Sequence, residues 1–585
     1  MAKAPVTVTW GGKQMKRILV RISALGVGLL AAGAIVFAVW RLTLRPPVSQ
    51  AFTGGRVLTM NADDDIAQAV LLRRDRIVAV GSDDEILSMA GPGTVFRDLA
   101  GRTLVPGLID AHGHFPGTAM YNANVDLASP PVGDLDNIAQ GIERLAERAA
   151  ATPDGEWVLG FRYDDTLLED LRHFTRHDLD RASASHPVAV VHVSGHLSVA
   201  NTMALEAMGI TADTPDPEGG VIRRESDGQT PDGVLEETAA RPMMKRVMQF
   251  SPLEGLGMLH DASREYLAQG VTTAQSGLTP SSLLSAMATS SKLGIIPLRL
   301  EAWPDEEAAQ SWLAGDLDLD DNDTDMFNAG PIKLVADGSI QGFTGYLGQP
   351  YHTPFKGDPA YRGYPSIPAE RLARLVTRIH ATGRQMAIHG NGDASIDDIL
   401  DAMEAAQAER PDPDPRLILI HSQMARSDQL DRMKKLGVTP SFFVAHTWYW
   451  GDRHYEIFMG PERAQRISPL REAADLGLRY SIHLDSPVVP MTPMLLLETA
   501  VRRVTSGGRV LGPDQRVTPR QALRAMTIDA AWQIRAENER GSIEPGKLAD
   551  LAVLSAGPDE VTPELIRDIT VEMTLVGGRV VYEGG

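Results

Sequence analysis

The chain has 585 residues, 43% of them hydrophobic and 23% charged, with a formal net charge of -20 at pH 7 and no cysteine. That length exceeds one ordinary domain and buries a large core, and the acidic excess leaves too few Lys and Arg to neutralise phosphates, which excludes a nucleic-acid partner. Without cysteine there is no disulfide, thiolate-held zinc or thiol nucleophile, so any metal must be held by His, Asp, Glu or a modified Lys.

The first 21 residues form a basic tail, and from Ile22 to Trp40 the chain runs nineteen residues without a charge. That length suits a helix crossing a hydrocarbon layer about 30 Å thick and exceeds the core of a signal peptide. Lys3, Lys13, Lys16, Arg17 and Arg21 precede it, whereas only Arg41 and Arg45 follow closely. The positive-inside rule then keeps the N-terminus cytoplasmic and sends the large domain across. The expectation is an uncleaved single-pass transmembrane anchor over 22–40, with the catalytic domain periplasmic or at the cell surface. A signal peptide cut near Ala31-Ala32-Gly33-Ala34 is the competing reading, and a buried soluble helix is disfavoured by the linker that opens with Pro46-Pro47.

Residues 48–104 read as short strands with tight turns, at 55–60, 69–72 and 76–81, and the chain end over 541–585 repeats the pattern at 549–554, 571–576 and 578–582. Two β-rich ends around an α/β middle predict a small β-sandwich built from both. Between them, over 105–540, apolar strand candidates stand at 105–112, 271–276, 297–303, 331–337, 385–389, 417–421, 438–444 and 479–485. Helical patterns such as 371–381, 396–408 and 429–436 separate many of them. Strands alternating with helices predict a (β/α)8 TIM-like barrel, an α/β fold whose active site lies at the C-terminal strand ends. The stretch from about 120 to 260 breaks this rhythm, carries further strand candidates at 157–161 and 188–193, and is read as an insertion that roofs the site.

The predicted strand ends carry the chemistry. His112 and His114 are two apart on an extended segment and therefore point the same way. Alone, a histidine closing an apolar strand is more often a satisfied core or loop residue. Here other strand ends bring Lys333, His389, His421 and Asp485 to the same rim, although only 15 histidines are spread over 585 residues. Imidazoles and a carboxylate suit Zn²⁺ or another divalent transition ion, one or two of them, with a position left open for water. Such a metal lowers the pKa of water to about 7 and polarises a carbonyl, while Asp485 takes the water's proton and passes it to a leaving amine. The expected reaction is hydrolysis of a small amide-type, non-peptide substrate by a metal-activated hydroxide.

The stretches Pro106 to His114, Lys333 to Ser339, Gly219 to Ile222 with Pro231 to Glu236, and Gly541 to Asp550 together resemble the amidohydrolase superfamily, in its YtcJ-like branch, over roughly residues 50–585. The resemblance implies that His112, His114 and Asp485 serve the more buried metal, His389 and His421 a second one, and Lys333 both, as a carbamate. It also implies that His196 faces the substrate and stabilises an oxyanion, against a polar-turn histidine as the plain alternative. Two departures stand out. His483-Leu484 replace small residues before Asp485, making His483 either a partner behind a ligand or a substrate contact, and Gly390-Asn391-Gly392 replace the usual alanine after His389.

Beyond these, His446 and Trp450 are candidates for an apolar substrate wall, with core or membrane-surface packing as the alternative. Asp337 either organises the turn after Lys333 or contacts substrate. The acidic run Asp316 to Asp325 reads as a solvated loop. Two other functions fit the same pattern, an ester or lactone hydrolase and, from a different class, a non-catalytic barrel that only binds. Homo-oligomerisation is left open.

Overall fold

Nearly continuous apolar runs, buried on both faces, make the central strands, as expected where helices cover a parallel sheet. In the computed structural model, which describes residues 46–584, they are β1 (Leu108–Ile109), β2 (Val271–Thr279), β3 (Arg299–Pro304), β4 (Ile332–Val335), β5 (Met386–Gly390), β6 (Leu417–His421), β7 (Val438–Phe442) and β8 (Ser481–Ile482). Every pairing between them is parallel. The ring closes at two seams. Strand Phe327–Ala329 pairs with β3 and leads into β4, while the Asp485 N–H donates to His112 O at 3.1 Å and the His114 N–H to Ser486 O at 2.7 Å. This is a TIM-barrel-like α/β fold. Helices outside it bury one stripe, as in Ala369–His380, which turns Leu372, Leu375, Val376 and Ile379 inward at helical spacing.

The segments before and after the barrel join in one six-stranded sheet, ordered Arg579–Glu583, Val571–Val576, Leu551–Leu554, Thr103–Pro106, Arg56–Leu58 and Ile66–Ala67. A four-stranded sheet of Arg76–Gly81, Ala69–Arg73, Ser49–Thr53 and Val95–Asp98 packs on it through Phe52, Val70, Leu72, Leu104, Val553 and Leu575. The first barrel strand starts later than the expected residue 105. Val105 and Pro106 pair with Ala552 and Leu551 in the sandwich, and an apolar run common to both domains hides the handover. It falls at Gly107, whose N–H donates to Asp550 O at 2.8 Å. A Cβ there would come within 2.2 Å of Thr272 Oγ1, so the close approach demands glycine.

The segment after β1 forms its own six-stranded sheet, ordered Gly220–Arg224, Pro231–Glu237, Leu197–Ala200, Val188–His192, Val158–Tyr163 and Val125–Asp126. Trp450, beyond β7, donates from Nε1 to Asp164 Oδ2 at 2.8 Å and ties this sheet to the barrel. The expected anchor over 22–40 lies outside the described residues, among which no helix is long and apolar enough to cross a membrane.

Candidate metal centre

The ends of five barrel strands bring six donor residues together. His112 Nε2 lies 3.4 Å and His114 Nε2 3.2 Å from Asp485 Oδ1. Lys333 Nζ lies 3.2 Å from His112 Nε2, and His421 Nε2 is 3.9 Å from Asp485 Oδ2. The His389 ring stands 4.5 Å from that of His421. Donors that share an ion at about 2.1 Å stand roughly 3.0–3.4 Å apart, close to the spacings at Asp485. Asp485 Oδ1 is buried and has no hydrogen bond, a cost a folded chain avoids unless something else completes the group. His112, His421 and Asp485 have ligating atoms close enough to share one ion. The donor set therefore fits a divalent cation.

Neighbouring groups aim the imidazoles. His114 Nδ1 donates to Gly277 O at 3.0 Å and leaves Nε2 facing Asp485. His389 Nδ1 donates to Asp337 Oδ1 at 3.1 Å, leaving Nε2 toward the rim, where Asn391 Nδ2 lies 3.3 Å away. His421 Nδ1 lies within hydrogen-bond reach of His483 Nε2, at 3.1 Å, and His483 Nδ1 lies 2.9 Å from Ser441 Oγ. This is how proteins fix the tautomer of a metal-binding histidine. The backbone cooperates: φ is +69° at His421 and +58° at Asp485, a left-handed conformation that non-glycine residues seldom adopt.

Burial, and next Lys333, push His112 well below the ordinary imidazole range, and burial followed by His389 does the same to His421. Both rings are neutral and have lone pairs to give. Burial pulls the Lys333 amine down to about 7.

Of the two roles the sequence allows Asp337 and His483, the geometry places both behind histidines of the centre. Asp337 is fully buried and accepts from His389, from the N–H groups of Asn391 at 3.0 Å and Gly392 at 2.9 Å, and from Tyr346 N–H at 3.0 Å. Its oxygens are committed, so it organises the turn and positions His389. His483 is likewise fully buried, behind His421, and positions that ring instead of meeting substrate. His446 is buried against Phe443, ring centroids 4.1 Å apart. Trp450 lines a small apolar cavity with Val193, Tyr449, Val488 and Val489. His196 comes from the inserted sheet to 4.9 Å from the His389 ring.

Sequence reasoning missed Glu237 and Trp303. Glu237 Oε2 accepts from His196 Nδ1 at 2.8 Å, and although burial lowers the His196 pKa, Glu237 more than offsets this and raises it. The carboxylate reaches the site because φ at Glu237 is +52°, a break that strand alternation does not reveal. Trp303 stacks on His112 at 5.2 Å and lies 5.8 Å from Lys333 Nζ. Its position at the end of β3 was the available signal. Asp164, Asp165 and His192 also cluster, in the inserted sheet. There the Ser194 N–H donates to His192 Nδ1 at 3.2 Å, and His192 Nε2 faces Asp165 Oδ1 at 3.1 Å.

A family model described as amidohydrolase family matches residues 95–582. The N-substituted formamide deformylase of Arthrobacter pascens is 31% identical over 538 residues, spanning 90% of this chain and 97% of that relative. YtcJ of Bacillus subtilis (strain 168) is 27% identical over 543 residues, 91% of this chain and 98% of its own. Among solved structures, an uncharacterised metal-dependent hydrolase of Pyrococcus horikoshii OT3 shares the fold with a TM-score of 0.70 at 22% identity, over 88% of this chain and 99% of that one.

Proposed function

The chain belongs to the amidohydrolase family, and on that premise we propose that it is a metal-dependent hydrolase of carbon–nitrogen bonds other than peptide bonds, acting on small N-substituted formamides or related amides. The observation that carries this reading is the convergence of His112, His114, Lys333, His389, His421 and Asp485, with the unpaired, buried Asp485 Oδ1 between two imidazoles. The substrate class comes from the name of the Arthrobacter pascens relative.

His112, His114 and Asp485 would hold one ion and His389 and His421 another, with Zn²⁺ favoured by nitrogen and carboxylate donors. When bound, the ion supplies Lewis acidity, polarising a carbonyl and lowering the pKa of a water to about 7. Lys333 joins the set as a carbamate, since an ammonium has no lone pair to give. Burial holds its amine near pKa 7, so a reactive free amine is present at neutral pH. Its nitrogen bonds to the carbon of CO₂, a proton leaves, and the product offers two oxygens.

The other residues divide the reaction. Asp485 accepts the proton of the attacking water and returns it to the leaving nitrogen. His196, whose Nδ1 donates to Glu237, supplies a hydrogen-bond donor to the oxygen that gains charge as the carbonyl carbon becomes tetrahedral, and Glu237 favours its protonated form. The charge-free run Ile22 to Trp40 and the basic residues before it support a membrane anchor with the hydrolase outside the cytoplasm.

The test is a panel of N-substituted formamides, longer N-acyl amines, cyclic amides and lactones, given to protein purified without chelator and supplied with Zn²⁺. Formate and free amine should appear in equal amounts, and His112→Ala should abolish both. A clear preference for lactones would contradict the carbon–nitrogen assignment.

A further inference from the structure

The sandwich carries an exposed apolar lip where the chain enters it. Thirteen large hydrophobic residues are exposed among the described residues, and five of them, Val48, Leu87, Met89, Val95 and Phe96, fall in two short stretches of this one domain. The topology brings those stretches together. Ser49–Thr53 pairs with Val95–Asp98 in the register Gln50 to Val95 and Ala51 to Phe96, and Ser49 Oγ lies 2.9 Å from Thr94 Oγ1. Helix Asp83–Met89 turns Ile86 inward onto Ala51, Ala69 and Leu71. Residues paired across two strands point to one side of the sheet, so Phe96, opposite Ala51, shares the face of this helix, whose Leu87 and Met89 are turned to solvent, while Val95, opposite Gln50, stands on the other face of the same edge strand.

Charge is graded along the same edge. The acidic first turn Asp83, Asp84 and Glu85 lies at the far end, where Asp83 Oδ1 accepts from Gly54 N–H at 2.9 Å. At the near end Arg74 N–H donates to Val48 O at 3.1 Å, and Arg73 stands opposite Ser49. Arg73 and Arg74 are exposed, with Asp75 next to them in the turn. Two arginines beside an apolar lip are unusual on a chain whose net charge is -20.

The length of chain leading to this lip decides what covers it. Only residues 41–47 separate the charge-free run ending at Trp40 from Val48, and seven residues span at most about 25 Å when fully extended. With 22–40 in a bilayer, the sheet edge bearing Val48 stays close to the lipid surface. We propose that the lip formed by Val48, Leu87, Met89, Val95 and Phe96 rests in the interfacial layer of that bilayer, with Arg73 and Arg74 against anionic headgroups. The contact fixes the orientation of the domain on the membrane. This rests on the anchor reading of 22–40, which the test separates.

Because the chain has no cysteine, single-cysteine variants take one environment-sensitive fluorophore each. The full-length variants Phe96→Cys, Met89→Cys, Ala34→Cys and Leu171→Cys are reconstituted into phosphatidylcholine vesicles containing phosphatidylglycerol and nitroxide-labelled lipid. Labels at 96 and 89 should be blue-shifted and quenched several-fold more than the label at 171, an exposed site in the inserted domain, and Arg73→Glu with Arg74→Glu should reduce that quenching. Quenching at 34 with none at 96 and 89 overturns the lip alone, whereas no quenching at 34 overturns the anchor beneath it. A blue shift at 96 that needs no lipid and grows with protein concentration assigns the edge strand to a second copy of the chain and also overturns the proposal.

Discussion

The two ends of the barrel are both crowded with ionisable groups, and they differ in how those groups are satisfied. At the end facing the sandwich, Arg299 donates to both oxygens of Asp550 at 2.5 and 3.0 Å, Arg540 to Glu301 at 2.6 Å and Arg76 to Glu539 at 2.6 Å. At the catalytic rim, His112 Nδ1 and Asp485 Oδ1 are buried without any hydrogen bond. Complementary pairs fasten one domain to another, whereas a cluster of oriented donors with unused lone pairs is incomplete without a cation. In this fold the N-terminal end of the barrel serves stability and the C-terminal end serves chemistry.

Substitutions at the two ends should therefore fail differently. The largest effect expected is His112→Ala, which should lose bound metal and bring kcat to background while the far-ultraviolet circular dichroism is unchanged. Arg299→Met should do the reverse. It strands Asp550 as a buried charge, costing roughly 3–5 kcal/mol in denaturant unfolding, yet the metal content and kcat of the folded fraction should match wild type. A loss of metal in Arg299→Met would erase the distinction between the ends. Asp337→Asn weakens the orientation of His389 and should lower metal affinity about 10–100-fold, read by chelator competition, with little change in stability.

The smallest effect is on pH dependence. Glu237 raises the pKa of His196 above its ordinary value, so the cation is present below that pKa and is lost as pH rises through it. Glu237→Gln removes the support, and the alkaline limb of kcat/KM should move to lower pH with metal content unchanged. An unmoved limb would remove His196 from the reaction.

The barrel and its donors were legible because parallel strands buried on both faces read as apolar runs, and because strand ends are where such a fold exposes chemistry. His112 and His114 followed from the two-residue period, and Lys333, His389, His421 and Asp485 from their position after such runs. What was missed or left undecided depended on local breaks or tertiary contacts. Glu237 turns into the site through one left-handed residue. Asp337 and His483 sit on the correct strands, but whether a side chain meets substrate or the back of a ligand depends on depth, which period does not encode. The handover at Gly107 was hidden because the strand before it and the strand after it are equally apolar.

The most direct test of the central claim is elemental analysis of full-length protein purified without chelator, with wild type, His112→Ala and Arg299→Met measured side by side. The account predicts one or two equivalents of a divalent transition metal in wild type and in folded Arg299→Met, and a clear loss in His112→Ala. A wild-type protein that hydrolyses its substrate without divalent metal, or a His112→Ala variant with its full metal complement, would contradict it.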